Sequence, residues 1–169
     1  MKILFKIAIF ALALMTTSFS YASSKGQTEN LCLKLGDNVN LPSSGYMHAS
    51  FLDTNAFSKT YKTANISNPG SSACRSEHYN NSDQRTINLQ LVAYLPKVKA
   101  SNPISFDDSC SAYDFSLQGE GTGPGKYIFI YHSGEISQDH TTENWTLTIS
   151  PGQSAQTYIL SCQHQGINN

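Results

Sequence analysis

Charge is scarce in this chain. Its 169 residues carry 11 Lys and Arg against 12 Asp and Glu, a formal net charge of −1. No dense run of cations is present, and nucleic-acid binding draws on clustered Lys and Arg that neutralise phosphates, so nucleic acid is not an expected partner. Motifs that announce chemistry are missing too. There is no His-Glu-x-x-His pair for a catalytic metal, no Gly-x-Ser-x-Gly elbow for a serine nucleophile, and no EF-hand spacing for calcium. The glycine-rich Gly119–Gly125 has no Gly-Lys-Ser or Gly-Lys-Thr. Because it precedes a strand rather than a helix, it reads as a hairpin connection and not a phosphate cradle. No cofactor is expected.

Long apolar runs are also lacking, with one exception at the start. Lys2 and Lys6 precede the unbroken apolar segment Ile7–Met15, and Ser20-Tyr21-Ala22 follows with small residues at both specificity positions of a signal-peptidase site. About twenty residues are needed to span the hydrocarbon of a bilayer. The pattern therefore predicts a cleaved leader over Met1–Ala22, a mature chain from Ser23 with no membrane span, and export to the periplasm or beyond. Serine at 23 also argues against a lipid anchor, which needs cysteine there.

The four cysteines, Cys32, Cys74, Cys110 and Cys162, all follow the leader. An oxidising compartment favours two disulfides. Structural zinc sites bring cysteines in close pairs, and none of these four lies near another. Three connectivities are open. Sequential pairing, Cys32 with Cys74 and Cys110 with Cys162, closes the shorter loops and is preferred on that ground.

Periodicity argues for strands. In Thr86–Leu95 the odd positions Ile87, Leu89, Leu91, Ala93 and Leu95 are apolar, and Trp145, Leu147 and Ile149 alternate with Asn144, Thr146 and Thr148 in the same way. Tyr113, Phe115 and Leu117 repeat the pattern, whereas Tyr127–Tyr131 is apolar on both parities. Leu31–Leu35, Gly45–Leu52, Ile104–Phe106 and Thr157–Cys162 complete about eight strands. Asn55–Tyr61 has room for one or two helical turns. Asn65–Asn81 shows no alternation and reads as a loop pinned by Cys74.

Many short strands separated by Gly, Pro, Asn and Ser predict an all-β chain: a single antiparallel β-sandwich over 23–169, immunoglobulin-like or jelly-roll, with a closed barrel as the alternative. Leu89, Leu91, Ile128, Ile130, Leu147, Ile149 and Leu160 are expected in or near its core. Thr146-Leu147-Thr148-Ile149-Ser150, Gln153 and Cys162-Gln163 resemble the E and F strands of immunoglobulin variable domains. The resemblance covers under a fifth of the mature chain and implies sandwich architecture without an immune role. Leu160 stands where that family places its corner tyrosine.

Candidate functional residues cluster around one polar segment, Ser133–Asn144. It holds Glu135, Asp139, His140 and Glu143, is preceded by Tyr131 and His132, and is followed by Trp145. Loops carried on a rigid β-scaffold commonly bear binding sites. Tyr131, His132, Glu135, Asp139, His140 and Trp145 are therefore the expected binding residues. Trp145 shares the apolar parity of Leu147, which also makes it a core candidate. His48, His78 and His164 read as ordinary polar positions, and Asp108 as a turn initiator. The expected function is an exported, non-catalytic binding or interaction protein, its ligand a glycan or an envelope protein. A fimbrial or coat-like assembly subunit and a hydrolase whose residues converge only in three dimensions are the alternatives.

Overall fold

A computed structural model describes residues 26–53, 60–79, 86–96, 98, 103–111, 115–120, 125–135 and 142–167. The expected leader lies outside them. The described residues are mostly strand: β1 Gln27–Leu35, β2 Tyr46–Asp53, β3 Thr60–Lys62, β4 Ser72–Tyr79, β5 Thr86–Tyr94, β6 Ile104–Phe106, β7 Phe115–Glu120, β8 Lys126–Glu135, β9 Thr142–Pro151 and β10 Tyr158–Ile167, and among them is one short helix, α1 Asp108–Ser111. Each of the eight segments with strand character in the sequence is a strand. Two more, β3 and β4, were not expected. β4 occupies the segment read as a loop, and its Ser-Ala-Cys-Arg-Ser-Glu-His-Tyr sequence lacks alternation because an edge strand has little apolar surface to bury.

The strands form two five-stranded sheets, ordered β4-β1-β9-β10-β6 and β3-β2-β5-β8-β7. The second is antiparallel throughout. The first is mixed, since β1 runs parallel to β9 and β10 parallel to β6. The expectation of a purely antiparallel fold is corrected here. Alternation marks which face of a strand is buried, and that face is the same whichever way the neighbour runs.

Side chains of both sheets join one buried cluster. Leu31, Leu33, Leu147, Ile149 and Leu160 come from the first sheet, and Met47, Ala49, Phe51, Leu89 and Leu91 from the second. Each such side chain contributes roughly 1.5–3 kcal/mol on leaving water. Ile128 and Ile130, also expected in the core, belong to β8, and their side chains lie outside the described residues. They pair with Val92 and Gln90, whereas core-lining Leu89 and Leu91 pair with Tyr131 and Phe129.

Both disulfides join sequential cysteines, Cys32–Cys74 and Cys110–Cys162. The first ties register partners on β1 and β4, with Cα atoms 4.1 Å apart. That is the closer spacing of an antiparallel pair that exchanges no backbone hydrogen bonds. The second is buried and holds α1 against β10. Asp107, rather than Asp108, initiates the turn: its Oδ1 accepts hydrogen bonds from the N–H groups of Ser109 (3.0 Å) and Cys110 (3.2 Å), capping α1. Ser109 Oγ in turn accepts the N–H of Cys162 at 3.0 Å.

The immunoglobulin likeness stops at local sequence. β9 and β10 are hydrogen-bonded neighbours in one sheet, whereas the E and F strands of that family belong to opposite sheets. Cys162 bonds to α1 rather than to a cysteine of the facing sheet.

Candidate functional site

One end of the first sheet changes chemistry without changing its alternation. On β1 the inward row is Glu29, Leu31, Leu33 and Leu35, and in register beside it on β9 stand Glu143, Trp145, Leu147 and Ile149. The period of two therefore places two carboxyl groups on the buried face, where Glu29 is 2% exposed and Glu143 4%. Glu29 is held by two donors. Trp145 Nε1 donates to its Oε2 at 3.1 Å, and Gln27 Nε2 to its Oε1 at 3.0 Å. Glu143 Oε2 is hydrogen-bonded to Nε2 of His164, which β10 sets opposite Trp145. The imidazole stacks on the indole, with ring centroids 3.9 Å apart and planes 19° from parallel.

Burial pushes the Glu29 carboxyl up to about 8, and the neighbouring charge of Glu143 adds to the rise, while the indole N–H works against it. At neutral pH Glu29 is therefore protonated. It is a hydrogen-bonding acid inside the sheet rather than a charge.

The opposite face at the same end is built from amides. Asn30 Nδ2 donates to Asn144 Oδ1 at 2.9 Å, linking β1 to β9. Asn144 and Thr146 of β9 stand in register with Gln165 and Gln163 of β10. These four line an open surface depression that His164 also borders. Amides and a hydroxyl both donate and accept, so the depression offers paired hydrogen-bonding edges without net charge.

The residues singled out in the sequence are not all in this place. Trp145 is, half-buried between the carboxyl pair and His164. Tyr131, His132 and Glu135 belong to β8 in the other sheet, in register with Leu89, Asn88 and Thr86. Tyr131 and His132 thus take opposite parities. Their side chains, and Asp139 and His140 altogether, lie outside the described residues. The polar segment is shorter than expected, because β8 continues to Glu135 and β9 begins at Thr142. Glu29 was missed. Its signal was a carboxylate that continues an apolar alternation, which Glu143 repeats on β9.

Among the described residues no group of three or more His, Cys, Asp and Glu side chains is placed to hold a metal ion. Nor is any described helix long and apolar enough to cross a membrane. The sequence matches no protein-family model and no curated protein.

Proposed function

We propose that this chain is an exported, non-catalytic binding protein of the periplasm or extracellular space, its two sheets packed as a β-sandwich of jelly-roll or related kind. Its ligand on this reading is a glycan, taken by the amide-lined depression of β9 and β10. The observation that carries the proposal is the set Asn144, Thr146, Gln163 and Gln165 around one open depression. Hydroxyl-rich ligands are both donors and acceptors, and uncharged amides match them without the desolvation cost of a buried ion.

Two further features support it. The buried disulfide and the apolar cluster make a rigid platform for such a surface. The Glu29–Glu143 pair, enclosed as it is, supplies positioning rather than turnover: it anchors Trp145 and His164 beneath the depression.

The test is a glycan-array screen followed by calorimetry on the best hit, with Asn144→Ala/Gln165→Ala as the variant. The expected result is binding weakened at least tenfold, the loss of about 1.4 kcal/mol that two surface hydrogen bonds supply. Unchanged binding moves the site elsewhere, and an envelope protein as the sole hit changes the ligand class. Hydrolysis of a glycan abolished by His164→Ala would favour the enzyme reading instead. The alternative as an assembly subunit is favoured by one observation, the open edge of β4.

A further inference from the structure

We propose that the open edge of β4 pairs antiparallel with β4 of a second copy of this chain, making a two-fold dimer in which the first sheet runs continuously across both molecules. The argument begins with the direction of backbone groups. Leu35 N–H donates to Ser71 O at 2.8 Å, whereas the next residue, Gly36, donates to Ile149 O on the β9 side, also at 2.8 Å. The odd residues of β1 therefore turn their N–H and C=O groups toward β4. By register, Ala73, Arg75 and Glu77 face back to β1. The alternation then leaves Ser72, Cys74, Ser76 and His78 with backbone donors and acceptors aimed away from the sheet. The 4.1 Å Cα separation of Cys32 and Cys74 agrees independently, since it marks that pair as the non-hydrogen-bonded one.

Nothing in the described residues covers this edge. β4 ends the strand order, and Ser72, Cys74, Ser76 and His78 are all exposed. An unpaired row of this kind is a template for another strand.

The choice of a second copy rests on charge. Antiparallel pairing centred on Ser76 sets Ser76 against its own counterpart, exchanging two backbone hydrogen bonds, and sets Cys74 against His78. It also sets Arg75 of each chain opposite Glu77 of the other, in the closely spaced, non-hydrogen-bonded positions where cross-strand side chains interact best. Within one chain Arg75 and Glu77 already form an ion pair, two residues apart on one face. The same two side chains complete a four-charge network across the axis. Moving the axis by one residue along the strand destroys it, because Arg75 or Glu77 then lies on the axis and meets its own counterpart. The inference is independent of the glycan reading, since the depression lies on β9 and β10.

Pairing through the seven residues Ala73–Tyr79 buries less than the roughly 1,200 Å² of stable complexes, so the dimer is expected to dissociate in the micromolar range or above. The experiment is sedimentation velocity of the oxidised protein from micromolar to millimolar concentration, with circular dichroism checking that each variant is folded. Arg75→Glu and Glu77→Arg should each weaken self-association about tenfold, since two attractive cross-strand pairs become repulsive. An equimolar mixture of the two variants should associate at least as well as the unaltered protein, because every altered residue then meets its opposite charge. Ser76→Pro, which removes an outward N–H, should also weaken it tenfold, and raising salt should weaken the unaltered dimer. A monomer at every concentration overturns the proposal. So does a dimer indifferent to all three variants, or a mixture of folded variants that fails to associate. If neither charge variant folds, salt dependence of the unaltered protein decides.

Discussion

The two ends of the inward face of the first sheet are made by the same strands with the same alternation, yet they are held by different physics. At one end Leu33, Leu35, Leu147, Ile149 and Leu160 pack beside the buried Cys110–Cys162 bridge. At the other, Glu29 and Glu143 take the corresponding positions, with Trp145 and His164 over them. The apolar end is stabilised by removal of surface from water and is indifferent to pH. The polar end holds together only because each carboxyl finds a donor, and because one of them keeps its proton. A strand can thus change the chemistry of its buried face while its geometry stays fixed.

The largest effect that would break the comparison is titration of Glu29. Its pKa is about 8 in the folded chain against an ordinary value of 4.5, so the folded state holds a proton that the unfolded state releases between those values. Stability contributed by this group is fully present below about pH 4.5 and declines as pH rises toward 8, by on the order of 5 kcal/mol in all. Urea unfolding at pH 5 and pH 8.5 should show that decline, and Glu29→Gln should flatten it. A Glu29→Gln profile as steep as the original assigns the pH dependence to other groups.

Next in size is Leu147→Ala at the apolar end. It should cost about 3 kcal/mol through lost burial and the cavity left behind, equally at both pH values. A strongly pH-dependent penalty would show that the two ends are coupled rather than separate. Trp145→Phe should be the smallest. Losing the indole N–H costs about 1 kcal/mol and raises the Glu29 pKa further, seen as an upward shift of the pH midpoint. A downward shift would mean that the indole acts on Glu29 by some route other than its hydrogen bond.

Period-two alternation made most of the strands legible, from Leu89 and Leu91 to Leu147 and Ile149, because a half-buried strand writes its buried face into the sequence. β4 was illegible for the opposite reason, having an exposed polar row of Ser72, Ser76 and His78 and the charged Arg75 and Glu77 on its other face. Parallel pairing of β1 with β9 could not be read either, since no turn links strands so distant. Of the candidate site, Trp145 was legible as an aromatic at a strand start beside a polar segment. Glu143 and His164 were visible as polar residues without a role, and Glu29 was overlooked, because the partner that permits a carboxyl on an apolar face sits more than a hundred residues away. What is local in the sequence was readable, and what the sheet brings together was not.

The pairing of Asn30 with Asn144 spans 114 residues. A chain made from its first residue onward therefore completes β4 long before it makes β9, and β1 waits with one flank empty for most of synthesis. The antiparallel pair of β1 and β4, clasped by Cys32 and Cys74, can assemble early, while the sheet interior closes only when the final sixth of the chain arrives. Such long-range closure makes for slow folding. It also leaves the strand bearing Glu29 without its indole and amide partners in the interval, so the carboxyl crosses from a solvated, ionised state to an enclosed, protonated one as the last strands dock.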